Sequence, residues 1–345
     1  MKTHRELGVC GCSAPQSEIK RRVLGHGHTD YADTMYHLGT VMYLQGNEKD
    51  SVSLIKDSIR ILEEGGQGES VTCLRRLRYL AQIFLNSNRL TEAENVQRKI
   101  LHIMELSKGS KSLDTVIAAE GLALTLQANG NLKEAQELLE WCLDVRKSIL
   151  QEDHIQISAN MLHLARVAML SSNRLRKVDI SQAKAELDKA KALLDNSIRI
   201  AQRVLESPNQ KQSSIQNNGG PKETGKDEHA ALVILLQSLD ALGLLEITKQ
   251  ELEEPKVEHP PPIEAEHAFR QCIAAFKESK IPRSVSSSPE VKAEYLTCLK
   301  HLFSLLISDT TTDDGISKRH NTLQELKDEI KQIEAELSKS RKHKR

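Results

Sequence analysis

Apolar residues recur at spacings of three and four over residues 29–45, 71–86, 113–128 and 155–171. That spacing predicts helices with one buried face. The four stretches repeat every 42 residues: Leu38, Leu80, Leu122 and Leu164 fill one column. The next column is small throughout, with Gly39, Ala81, Ala123 and Ala165, and Met42, Phe84, Leu126 and Ala168 follow four residues after the leucines. A turn column comes next at Gly46, Asn88, Gly130 and Ser172, and then a second small column at Ser51, Ala93 and Ala135. A second helical stretch follows the turn. In residues 133–150 its apolar positions are Leu138, Leu139, Trp141, Leu143 and Val145. Small residues at a helix crossing let two backbones approach while larger neighbours fill the groove. The pattern predicts an antiparallel helix pair per repeat, stacked into an all-α superhelical solenoid.

The leucine followed by Gly or Ala in helix A, the Ala opening helix B and a small residue later in helix B resemble the tetratricopeptide repeat (TPR). The usual TPR unit is about 34 residues. The 42-residue unit, with linkers Val23-Leu24-Gly25-His26-Gly27-His28 and Ile149-Leu150-Gln151-Glu152-Asp153-His154, resembles the kinesin-light-chain type. The similarity covers residues 17–205 and continues more weakly to about 280. A period near 42 also suits WD40 and HEAT arrays. Strand patterning and the Gly-His and Trp-Asp signatures of WD40 are missing, while a HEAT array stays open. The resemblance implies a TPR-like helix-turn-helix fold and a non-enzymatic protein-binding scaffold. Its inner face, lined by helix A, would take an extended peptide or a helix. The alternative is a permanent assembly or stability subunit of a larger complex.

Residues 1–16 are expected to be a flexible N-terminus. Residues 17–24 look like the end of a helix B, which implies that the chain begins inside a repeat. The array of one partial and four full repeats should span residues 17–205, with an insertion at 176–180. Residues 206–228 are rich in Ser, Asn, Gln, Gly and Lys and are expected to be a disordered linker. A degenerate repeat and a following helix are expected over 229–307, with helix A at 229–248 crossing at Leu242-Gly243. Its helix B is marked by Glu264-Ala265, Cys272-Ile273 and Lys277, spaced like Glu134-Ala135, Cys142-Leu143 and Lys147. An acidic, proline-rich insert at 249–262 separates the two helices. Ser288-Pro289 reads as an N-cap and first helical position. The C-terminal region, 320–345, ends in a basic tail. Its helix carries Leu323, Leu326, Ile330, Ile333 and Leu337 at heptad spacing. Two heptads suit a capping helix, or a short coiled coil for self-association.

Composition narrows the partners. Forty-eight basic and 48 acidic side chains cancel, so no nucleic-acid partner is expected. Aromatic residues are 3% of the chain, low for an all-β fold. No run reaches the ~20 apolar residues that span a bilayer, so no membrane span is expected. Six cysteines without framework spacing predict a reducing compartment, cytoplasmic by default. An organelle stays open if a targeting segment upstream is missing. No phosphate loop, His-Glu-x-x-His or nucleophile elbow is present, so no enzyme activity and no cofactor are expected. Gly65-Gly66-Gln67-Gly68 sits in an inter-repeat linker rather than after a strand. Cys10, Cys12, His26 and His28 lack the spacing of a zinc pair, and His28 aligns with the linker residue His154. Cys142 and Cys272 share a small-residue column and are expected in the core, as is Trp141.

The resemblance places the binding surface on helix A. Carried over by column, repeat 1 offers Asp33, Tyr36, Thr40 and Tyr43, and repeat 2 offers Arg75, Arg78, Gln82 and Leu85. Repeat 3 offers Ile117, Glu120, Leu124 and Gln127, and repeat 4 offers Leu162, His163 and Arg166. Within Leu74-Arg75-Arg76-Leu77-Arg78, Arg75 and Arg78 share a helix face at i, i+3. Guanidinium forks pair carboxylates and phosphates in bidentate fashion, so the expected ligand is an acidic or phosphorylated peptide. The Lys and Asn of a chaperone-binding carboxylate clamp are replaced by Tyr36, Thr40, Arg78 and Gln82. His37, Tyr79, Gly121 and His163 stand where kinesin light chains usually carry an Asn pair, so motor-cargo binding is not implied.

Overall fold

The structure, a computed structural model, describes residues 19–20, 22–23, 25, 27–206, 224–252, 263–278, 285, 287–308 and 316–343, without the side chains of 224–226, 308, 316–320 and 340–343. The expected flexible N-terminus, most of the linker at 206–228 and the insert's residues 253–262 lie outside these. Among the described residues there are twelve helices and no strand. They are α1 (Thr29–Leu44), α2 (Glu48–Glu64), α3 (Val71–Asn86), α4 (Leu90–Lys108), α5 (Leu113–Asn129) and α6 (Leu132–Ile149). There follow α7 (Ile155–Leu175), α8 (Ile180–Glu206), α9 (Thr224–Glu251), α10 (Ile263–Lys277), α11 (Pro289–Ser308) and α12 (Ile316–His343). The chain forms two compact units, Met1–Leu138 and Leu139–Arg345, which divide within α6.

In the first unit each helix pair is closed by the same turn. Gly46, Asn88 and Gly130 all have positive φ. The amide of each next residue bonds five positions back, Asn47 to Met42, Arg89 to Phe84 and Asn131 to Leu126. The turn amides bond three back, to Tyr43, Leu85 and Gln127. This is the Schellman closure, whose left-handed residue is cheapest as Gly or Asn. The fourth repeat breaks the rule. Ser172 lies inside α7, buried, its hydroxyl donating to the Ala183 carbonyl of α8 at 2.8 Å. With Ser rather than Gly or Asn in the turn column, the helix runs on to Leu175.

The small column lies where helices cross. A Cβ on Gly39 would sit 2.8 Å from Ile55 Cγ1, and Ala81, Ala123 and Ala165 are all buried. Helix starts are capped by side chains that accept an orphan amide. Ser70 and Ser112 cap α3 and α5 at 3.1 Å. The linker histidines do the same work, His28 Nδ1 for α1 and His154 Nδ1 for α7. The core of the first unit gathers Ile55, Leu62, Leu77, Leu80, Phe84 and Ile100.

In the second unit α9 is central, packing against α7, α8, α10 and α11. It begins at Thr224, so the last five residues of the expected linker are helical. Residues 227–251 are long and apolar enough to cross a bilayer, contrary to the span-free reading of the sequence. The fold accounts for the apolarity differently, because Leu232, Leu236, Leu239 and Leu245 are buried among protein helices. The seam of α12 packs on this same core: Leu326 and Ile333 are buried and Leu323, Ile330 and Leu337 lie against it. Cys272 is in the core, but it is disulfide-bonded to Cys298. The repeat columns align Cys272 with Cys142, and only the fold shows that Cys298 of α11 is its neighbour.

Candidate functional site

In the first unit the candidate residues of α1 and α3 meet. The Tyr79 ring stands edge-on to Tyr36 at 5.8 Å and to Tyr43 at 6.2 Å between centroids. The Arg75 guanidinium lies over the Tyr36 ring at 5.9 Å. Asn86 donates to the Tyr43 hydroxyl at 3.0 Å, and Gln82 donates to Asn86 at 2.8 Å. Arg75, Arg78 and Gln82 are exposed. Among the described residues neither Arg75 nor Arg78 has a carboxylate partner; Arg78 reaches only the Met104 sulfur, at 4.0 Å. Burial and the neighbouring phenols push the Tyr79 hydroxyl's pKa up, so it stays a neutral donor.

The arginine between them has a different role. Arg76 is fully buried, its guanidinium donating to the Ser58 carbonyl at 3.0 Å, to the Ser58 hydroxyl and to Asp33. Burial pulls its pKa down and the Asp33 carboxylate pulls it back up. Asp33 is therefore committed to Arg76 rather than free for a ligand. Tyr36 is likewise buried, as a platform beneath Arg75, and Leu85 packs on the core.

On α5, Ile117 and Leu124 are 50% and 37% exposed, as residues on an open face should be. Glu120 and Gln127 are half-buried beside them, with Gln127 Oε1 enclosed and unbonded among the described residues. His163 and Arg166 of α7 belong to the second unit and are half-buried. Leu162, expected on the face, is instead core. Burial lowers the pKa of Arg166, against the pull of Glu294 and Asp240. Those carboxylates are engaged: Gln237 donates to Glu294 at 2.8 Å, and Asp240 holds His301 Nδ1 at 2.6 Å. The Asp240 bond pushes the His301 pKa up against the effect of burial.

Four of these residues were passed over in the sequence. Aligning Leu242-Gly243 with Leu38-Gly39 puts Gln237 and Asp240 in the columns of Asp33 and Tyr36, so the repeat register contained them. Glu294 and His301 lie on α11, beyond the repeats, and no pattern marks them. Among the described residues no three His, Cys, Asp or Glu side chains converge to hold a metal. Cys10, Cys12 and His26 lie outside the described residues.

A tetratricopeptide repeat family model matches residues 73–148. A solved structure from Podosopora anserina, described as kinesin light chain nearly identical TPR-like repeats, is 18% identical. It covers 73% of this chain and 98% of its own, with a TM-score of 0.45. BtubC (BKLC) from P. vanneervenii is 17% identical, covering 56% of this chain and 70% of its own, with a TM-score of 0.41. None of the curated proteins compared with the chain is significantly similar in sequence.

Proposed function

We propose that the chain, whose residues 73–148 match a tetratricopeptide repeat family model and whose 42-residue repeats resemble the kinesin-light-chain type, binds an acidic or phosphorylated segment of a partner protein through its first unit. The fold is of the protein-interaction scaffold kind. The observation that carries the finer reading is the contrast within one run of sequence. Arg76 is buried and paired, whereas Arg75 and Arg78 are exposed without a carboxylate partner among the described residues. Two guanidinium forks one helical turn apart suit a carboxylate pair or a phosphate. Tyr36 and Tyr79 stiffen the α1–α3 surface beneath them, and Gln82 and Asn86 extend it with polar groups.

Affinity purification from native extract tests this, comparing wild type with Arg75→Glu/Arg78→Glu after a check of helicity. The reading expects a defined set of partners to vanish with the charge reversal. The assembly-subunit alternative is favoured by exposed Ile117 and Leu124, an apolar contact that needs no charge. It expects the partners to survive the arginine change and to be lost with Ile117→Asp/Leu124→Asp.

A further inference from the structure

We propose that Cys272 and Cys298 form a redox-operated clasp that sets how firmly the C-terminal helices of the second unit are held on α9. Cys272 lies on α10 and Cys298 on α11, both fully buried. Their Cα atoms are 6.3 Å apart, inside the range a disulfide needs. The two sulfurs converge on one backbone group, the Leu236 carbonyl of α9, at 3.5 and 3.8 Å. The bond therefore closes α10 and α11 across the central helix.

Apolar burial holds α11 and α12 on this core, and polar contacts at its margin add to it. His301 and Glu294 of α11 meet Asp240 and Gln237 of α9. Lys292 and Lys300 of α11 pair with Glu336 and Glu334 of α12, and Lys277 of α10 pairs with Glu329. Such partly solvated pairs are individually modest beside a covalent bond. The covalent tie is the strong member of the set.

The dithiol state is also compatible with the packing. When the bond is open, an S–H has the Leu236 carbonyl to donate to, so reduction leaves no polar group stranded in the core. Cys73 is buried as a free thiol, so burial alone does not pair a cysteine in this chain. Closure is a thiol–disulfide exchange with a low-molecular-weight disulfide of the glutathione class. One protein thiolate attacks and releases one small thiol, and the second thiolate attacks the mixed disulfide and releases the other. The protein loses two electrons and two protons, and the small disulfide becomes two thiols. Because both sulfurs are buried, exchange waits on opening of α11 from α10.

The test uses the full chain equilibrated with oxidised glutathione or with dithiothreitol. Alkylation and peptide mapping identify a linked Cys272–Cys298 peptide, and hydrogen exchange is then measured in both states. The clasp predicts the linked peptide under oxidation only. It predicts amide exchange in α11 and α12 at least about tenfold faster after reduction, with α1–α5 unchanged. Cys272→Ala/Cys298→Ala should match the reduced protein in both buffers. If that variant does not fold, the two states of the wild type still decide. Free alkylation of both cysteines after oxidation would overturn the proposal. So would a bond that forms without slowing exchange in α11 and α12.

Discussion

Replacing Asp33 by alanine removes the only carboxylate that the buried Arg76 touches among the described residues and leaves its guanidinium with Ser58 and the Tyr36 ring. Breaking a buried ion pair from one side typically costs about 3–5 kcal/mol, because the surviving charge is stranded. Asp33 is 46% exposed, so water reaches its side of the pair, and the Ser58 contacts remain. Both features argue for a cost at or just below the lower limit of that range, about 2–3 kcal/mol, or roughly 5–10 °C in Tm. Arg76→Met should cost less although it changes the larger side chain. It leaves no charge in the core, and Asp33 is open enough to be solvated. Urea denaturation followed by far-UV circular dichroism measures both. The reasoning fails if Asp33→Ala lies within about 0.5 kcal/mol of wild type, or if Arg76→Met is the more damaging change.

Three further outcomes are expected. Gly243→Ala would place a methyl 2.4–2.8 Å from three atoms of the Phe269 ring, costing about 1–3 kcal/mol in thermal or urea unfolding; Phe269→Leu in the same chain should return part of it. His301 has its pKa raised in the folded state by Asp240, so its stabilisation is complete below its unfolded pKa of about 6.5. That contribution is lost as pH rises through the higher folded value, and His301→Gln should flatten this part of a Tm-against-pH profile. His154→Ala removes the acceptor for the Gln156 amide at the start of α7 and should cost about 1 kcal/mol, with His28→Ala giving a similar loss at α1.

Much of the fold was legible because the repeat writes the same constraint several times. A small residue where helices cross and a Gly or Asn at the turn recur at 42-residue spacing, and Gly46, Asn88 and Gly130 all adopt the left-handed turn. Ser172 sits in that column without the conformational ease of its counterparts, and there the helix continues. Long-range pairings were less legible. The pattern puts Arg75 and Arg78 on one face of a helix, but nothing in it shows that Asp33, 43 residues before Arg76, belongs to the buried arginine. The same limit hid the Cys272–Cys298 bond and the hold of α11 on Asp240, since α11 lies outside the repeat register. The apolar run of α9 shows the reverse case. Its composition suits a bilayer, and only the surrounding helices show what covers it.

The central claim is that Arg75 and Arg78 of the first unit select an anionic segment. Fluorescence anisotropy with a panel of labelled peptides tests it, each in aspartate- or glutamate-rich, phosphoserine and neutral amide versions, against wild type and Arg75→Glu/Arg78→Glu. The account predicts that anionic members bind the wild type and their neutral counterparts do not. It also predicts that charge reversal weakens binding at least about tenfold, since each lost charge-assisted hydrogen bond is worth about 1.5 kcal/mol or more. Equal binding of anionic and neutral peptides, or affinity unchanged by the double reversal, would contradict it.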